Sequence, residues 1–186
     1  MRGKLIFLST LLSAVILTLA SVNVDTHNIL PIKASYDSLT AETQKQITCL
    51  AENIYFEAGH EPLDGQMAVA FVTFNRVQTG NYADNICGVV KQKTGNTCQF
   101  SWYCDNFFTS KRLTIKSTKL YNDILELSTN LYLNFDRMKD VTNGATYYHA
   151  DYVNPRWNKL ERETKIGRHI FYKSKIDKID RTRGVI

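Results

Sequence analysis

The chain has 186 residues, a formal net charge of +5 and 44% hydrophobic residues. That length suits one compact domain with a real core, since single domains commonly hold about 100–200 residues. The charge is mild, and no Lys/Arg block is long enough to make a nucleic-acid stripe, so a nucleic-acid partner is not expected.

The N-terminus reads as an export segment. Arg2 and Lys4 precede an apolar run from Leu5 to Ala20, interrupted by Ser9, Thr10, Ser13 and Thr18. A spanning helix needs about 20 apolar residues, so this run suits a cleavable signal peptide, or a retained signal anchor giving transient membrane contact. Thr18-Leu19-Ala20 offers small residues for cleavage. Residues 1–20 are therefore assigned to the signal and residues 21–38 to a polar linker. Residues 39–175 form the folded domain and residues 176–186 a solvated polar tail in which Lys/Arg alternate with Asp. Losing Arg2 and Lys4 with the signal would leave +3, still a modest aid to approaching an anionic polymer.

Thr40 can cap a first helix carrying Ile47, Leu50, Ala51, Ile54 and Ala58 at helical spacing, with Gly59 as its stop. Pro62 opens a second helix that is apolar nearly all round, from Leu63 to Phe74, and ends near Asn75-Arg76-Val77. Such a helix belongs in the middle of a domain. Residues 80–97 read as loop, with an apolar patch at 86–90. A third long helix fits Ile115 to about Phe135. Beyond Thr142, residues 144–149 and 166–172 read as extended segments with a turn at Asn154-Pro155. The sum is a mostly helical α+β domain with a small antiparallel element.

Four cysteines, Cys49, Cys87, Cys98 and Cys104, in an exported chain favour disulfides, with three pairings possible. Free buried thiols and a zinc site are the alternatives, but no Cys-x-x-Cys or His-x3-His spacing supports a metal. No cofactor is expected.

Glu57 is the leading candidate for chemistry. It shares or borders the buried face of the first helix and sits in its last turn, where the macrodipole disfavours negative charge. Both features raise a carboxyl pKa, and a protonated carboxyl is what a glycosidic oxygen needs from a general acid. Pairing with Arg76, or exposure at the helix edge, would be the structural alternative. Glu61 could act as a second carboxylate or cap the second helix. Gln99, Ser101 and Trp102 offer an amide, a hydroxyl and an aromatic face to a sugar, although packing in the core is the default for Trp102. Tyr147 and His149 complete the candidate substrate-binding set. His149, Asp151 and His169 could instead hold zinc in an amidase or wall peptidase.

The ordered stretches 50–58, 61–70 and 75–77, then Ile86-Cys87-Gly88-Val89-Val90, Cys98-Gln99-Phe100-Ser101-Trp102, Tyr148-His149-Ala150-Asp151-Tyr152-Val153, Trp157 and residues 166–172, resemble the SleB-like cell wall hydrolases. The likeness covers about Cys49 to Lys173. It implies a lysozyme-like fold with a sugar-binding cleft and a catalytic acid at Glu57. It also implies lytic transglycosylase chemistry between N-acetylmuramic acid and N-acetylglucosamine, in which one acid/base serves both steps. Family members usually carry Arg-Gly where this chain has Gly59-His60, which keeps a turn-forming Gly and loses a cation. No separate peptidoglycan-binding repeat is visible, so binding to peptidoglycan is expected from the cleft of a monomer. The location would be periplasmic, envelope or extracellular, and a phage endolysin would fit as well as a bacterial enzyme. A non-catalytic wall-binding domain is the remaining alternative.

Overall fold

The computed structural model describes residues 31–184, so the signal assignment and most of the linker lie outside the described residues. Helix α1 spans Ala41–Ala58, and the Thr40 side chain accepts from the Thr43 N–H at its start. One of the orphan N–H groups of the first turn is satisfied in this way. Ile47, Leu50, Ala51, Ile54 and Ala58 are buried, as their spacing requires. The chain turns at Gly59, and Gln66 Nε2 stitches the turn by donating to the carbonyls of Gly59 and Glu61.

Helix α2, Leu63–Thr79, is buried on nearly every side and stops at Gly80, whose φ of 69° is left-handed. Residues read as loop form a short helix α3, Ile86–Lys91, capped by the Asn85 side chain accepting from the Gly88 N–H at 2.7 Å. A two-residue hairpin pairs β1, Lys93–Thr94, with β2, Thr97–Cys98. Helices α4, Ser101–Cys104, and α5, Asn106–Ile115, follow without a sequence forecast. Helix α6, Lys119–Asn134, starts at the Thr118 cap and buries Ile124, Leu131 and Tyr132. The main core lies where α1 meets α2, α3 and α6.

The β element is one strand larger than expected. Strands β3, Tyr147–Ala150, β4, Leu160–Ile166, and β5, His169–Ser174, form an antiparallel sheet in the order β3-β5-β4. Strand β4 (LERETKI) lacks the apolar alternation of a half-buried strand, which is why the sequence does not announce it. In β3 and β5, Tyr148 stands opposite Phe171 and His149 opposite Ile170. Phe171 packs on Ala68 and Val72 of α2, so the Tyr148 face points toward the helices and the His149 face away from them.

Two expected boundaries change. The end of the linker is tied down: the Ile32 N–H donates to Asn134 Oδ1 at 2.7 Å, and Tyr36 Oη meets Thr48 Oγ1 at 2.7 Å. The tail is not free at its start, because Asp177 is 4% exposed. It accepts from Asn81 Nδ2 at 3.0 Å and meets the Thr146 hydroxyl, while the Asp180 N–H donates to the Gln78 carbonyl. A run of alternating charge is read as solvated, and a carboxylate held by Asn81 and the buried Thr146 overrides that reading.

All four cysteines are paired, Cys49 with Cys87 and Cys98 with Cys104. The first bridge joins α1 to α3 across 38 residues, and the second closes a segment of 6. Loop entropy assigns about 4 kcal/mol to the first and about 2 kcal/mol to the second. Replacing Cys49 and Cys87 with Ala should therefore lower the chemical-denaturation midpoint more than replacing Cys98 and Cys104. An equal or reversed order in equilibrium unfolding would show that the loop-closure account does not hold.

Candidate active site

Glu57 sits in the last turn of α1, partly accessible from solvent. Burial raises its pKa above the usual 4.5, and the neighbouring Tyr148 hydroxyl and Arg76 guanidinium oppose that rise. The C-terminal end of α1 adds a further unfavourable potential for the anion. The Tyr148 hydroxyl is buried, faces this carboxyl and makes no hydrogen bond elsewhere. Burial first, and then the Glu57 charge, hold the phenol protonated well above its ordinary range. An acid thus lies beside a neutral donor and a fixed cation.

Arg76 reaches the site from α2 and is 5% exposed. Its Nε donates to the Thr146 carbonyl at 2.8 Å, and its guanidinium lies 5.2 Å from the Tyr82 ring and 4.9 Å from the Phe100 ring. Its Nη1 is buried without a protein acceptor. The preceding residue, Asn75, places Nδ2 within reach of Asp140 Oδ2, the Thr142 hydroxyl and the Ala145 carbonyl. Asp140 in turn accepts from the N–H groups of Thr142 and Gly144, each at 2.7 Å. Adjacent residues of α2 therefore fix the segment that delivers β3 and, with it, Tyr148.

The remaining sequence candidates divide. Glu61 Oε2 accepts from the Arg168 N–H at 3.1 Å and packs on Gly167, whose φ of 55° makes the β4–β5 turn. It anchors that turn, and it neither caps α2 nor faces Glu57 with a free carboxylate. Trp102 is 2% exposed, donates its indole N–H to Asn53 Oδ1 at 3.0 Å, stacks on Phe56 and lies under Arg112. Its faces are covered, so it packs the core and offers no platform to a sugar. Gln99 and Ser101 flank Phe100, the ring beneath Arg76; Gln99 Nε2 reaches Thr94 Oγ1 at 3.2 Å, and Ser101 is exposed. Tyr147 lies at the edge strand with its phenol against Tyr82, whose pKa is raised chiefly by burial.

His149 points away from Glu57. Its Nε2 lies 3.0 Å from the Tyr172 hydroxyl and its ring stacks on Tyr172. His169 occupies the opposite face, edge-on to Tyr148 with ring centroids 5.1 Å apart, and burial lowers its pKa. Asp151 pairs with Lys165 at 2.9 Å. The three ligands of the zinc alternative therefore do not converge, and among the described residues no group of three His, Cys, Asp or Glu side chains is placed to hold a metal.

Tyr148 is the residue that the sequence did not single out for the site, and Arg76 entered it only as a structural partner of Glu57. The available signals were an Asn-Arg pair on an otherwise apolar helix, where buried polar groups need partners, and the strand period of two.

A mainly helical domain with a small antiparallel sheet and a partly buried acid at a helix end has a lysozyme-like architecture. The fold agrees with two solved structures. One is the catalytic domain of the Bacillus cereus SleB protein, with TM-score 0.50, 24% identity, and coverage of 70% of this chain and 91% of that one. The other is the catalytic domain of the germination-specific lytic transglycosylase SleB from Bacillus anthracis, with TM-score 0.52, 24% identity, and coverage of 77% and 100%. The chain belongs to the cell wall hydrolase family, which it matches over residues 60–172, a span that begins just after Glu57. Curated relatives include the spore cortex-lytic enzymes of Halalkalibacterium halodurans, 28% identical over 131 residues, and Bacillus cereus, 27% identical over 133 residues. These alignments take in 69% and 70% of this chain but only 35% and 45% of the relatives, so the chain spans less than half of their length.

Two outcomes test the site. Glu57 binds its proton more tightly folded than unfolded, so stability falls as pH rises from the unfolded value of 4.5 through the raised folded value. Glu57→Gln should thus raise Tm at pH 7 and leave it nearly unchanged near pH 4; equal shifts at both pH values would show that the carboxyl is not destabilised by ionisation. Trp102→Ala should cost about 3–5 kcal/mol of unfolding free energy. A loss under 1 kcal/mol would return Trp102 to the surface.

Proposed function

We propose that this domain cleaves the glycan strand of peptidoglycan between N-acetylmuramic acid and N-acetylglucosamine, as a lytic transglycosylase with Glu57 as single acid/base. The observation that carries the reading is a carboxyl with a raised pKa beside Tyr148 and Arg76, while Glu61 is committed to the Arg168 turn. Family membership and the spore cortex-lytic relatives support the substrate class.

The proposed reaction follows from those groups. Glu57 protonates the glycosidic oxygen as the bond from muramic acid C1 breaks. The carboxylate left behind is supported by Tyr148 and Arg76, the same two groups that oppose the pKa rise. The C6 hydroxyl of the same muramic acid then attacks C1 and returns its proton to Glu57. A 1,6-anhydro end forms, the acid is restored and no water is consumed. Gln99, Ser101 and Tyr147 are proposed to contact substrate near the Arg76 side of the site. Arg76 Nη1 is buried without an acceptor, so the guanidinium acts as a fixed charge beside Glu57. No helix among the described residues is long and apolar enough to cross a membrane. The proposed setting is outside the cytoplasm, where the wall lies, with residues 1–20 directing export and touching the membrane in transit, and with the domain acting as a monomer.

Mass spectrometry of fragments released from purified sacculi tests this directly. Muropeptides ending in 1,6-anhydro-muramic acid are expected, with release by Glu57→Gln lower by at least about 100-fold, the scale of a lost general acid. Activity should fall as pH rises through the raised pKa of Glu57. Reducing muramic ends would put water in place of the C6 hydroxyl, and stem peptides released from intact glycan would overturn the proposal.

A further inference from the structure

The outward face of the β3-β5-β4 sheet, turned away from Glu57, carries a groove of about 500 Å³, and Tyr147, whose ring lies 5.9 Å from Trp157, stands at the end of it nearest the Glu57 site. Its floor is aromatic. His149 stacks on Tyr172, and Trp157 stands at 79° to the first ring and 90° to the second, with centroids 5.4 and 5.6 Å away. Asn154, Arg156 and Asn158 line the rim with amides and a cation. The Trp157 loop leaves much apolar surface in water: Trp157 is 36% exposed and Tyr152 76%. Arg156 holds a left-handed φ of 54°, with its N–H donating to Asn154 Oδ1 at 3.3 Å and its carbonyl accepting from Asn158. A non-glycine residue in that region costs energy, and here it sets the turn from which Trp157 reaches the sheet.

Charge selects the occupant. Arg162 stands opposite Tyr172 on the same outward face. Arg156 and Arg162 are both exposed, and no carboxylate of the described residues lies within ion-pair distance of either. The nearby Asp151 is already engaged by Lys165 and Arg168. Aromatic faces stack on the C–H faces of pyranose rings, side-chain amides meet acetamido groups, and unpaired guanidinium groups meet carboxylates. A polymer of N-acetylated sugars bearing lactyl carboxylates supplies all three.

We infer that the groove of His149, Trp157 and Tyr172 is a second glycan-binding site, which holds a carboxylate-bearing N-acetylated strand while Glu57 acts on the other side of the sheet. The identity of the ligand rests on the function proposed above. Two sites on one domain would keep the enzyme on an insoluble polymer between cleavages, with avidity gained from a weak second contact.

The test uses the chain carrying Glu57→Gln, which leaves its ligand intact, and peptide-free glycan strands of alternating N-acetylglucosamine and N-acetylmuramic acid. Calorimetry should show Trp157→Ala in that background weakening binding about tenfold, the scale of an exposed aromatic anchor. Arg162→Glu should weaken it too, and more at low salt than at high salt. Arg162 is a surface residue, so its variant keeps the test open if Trp157→Ala fails to fold. With Glu57 intact, either change should lower turnover of a tetrasaccharide by less than the same change lowers strand binding in the Glu57→Gln background. Unchanged binding in both variants overturns the inference, as does an equal fall in binding and turnover, which would assign the groove to the Glu57 cleft. If the parent chain cuts no strand yet binds it with the same Trp157 dependence, the groove stands and the catalytic reading falls.

Discussion

The candidate active site depends on a pair of adjacent polar residues buried in α2, the helix covered on nearly every side. Asn75 and Arg76 occupy the core side of α2, where a lone amide or cation would be costly. Both are given partners from one distant segment: Asn75 binds Asp140, Thr142 and Ala145, and Arg76 binds Thr146. That segment runs directly into β3. Satisfying the two polar groups therefore fixes the sheet against the helices at one register, and Tyr148 follows two residues later. Removing either partner would leave an unsatisfied buried group, so the contact specifies position more strongly than its net energy suggests.

The acid itself is set by a contest between burial and charge. Arg76 and Tyr148 both favour the Glu57 anion, yet burial is the larger effect and the pKa rises. This ordering suits a group that must give a proton and recover it. Burial favours the protonated carboxyl, and in the proposed reaction the cation and phenol would be most valuable once the proton has left. Their geometry is fixed before that moment, because Arg76 is held by Thr146 and flanked by the rings of Tyr82 and Phe100. Asp177 reinforces the arrangement from the C-terminal segment by binding the hydroxyl of Thr146, the residue whose carbonyl holds Arg76.

The sequence announced the helices well because their signals are local. Thr40 caps α1, Gly80 ends α2, and the buried face of α1 follows its helical spacing. The place of Glu57 in the last turn of α1, bordering its buried face, was legible for the same reason, since helix position and face are read within one turn. The β lobe was harder. Tyr147 and His149 were favoured over Tyr148, and in a strand a one-residue slip exchanges faces, so the residue that meets the acid was the one passed over. Trp102 and Glu61 misled in another way. Each has a side chain suited to a sugar, but Asn53 and the Arg168 N–H, far away in the chain, engage them first. Asp177 escaped notice because alternating charge is almost always solvated, and its two partners lie 96 and 31 residues away.

The placement of Glu61 bears on mechanism as well as on packing. A glycosidase that uses water commonly places a second carboxylate about 5–9.5 Å from the first, either as nucleophile or as base. Glu61 is close in sequence, but its carboxylate accepts a backbone N–H and fills the space over Gly167. Freeing it would leave the Arg168 N–H without its acceptor and loosen the only tie of this kind between the α1–α2 turn and the β4–β5 turn among the described residues. The fold has thus given the Glu61 carboxylate a structural contact. A reaction in which the substrate supplies its own nucleophile asks for one acid/base, a cation and a donor, which are the groups that α1, α2 and β3 bring together.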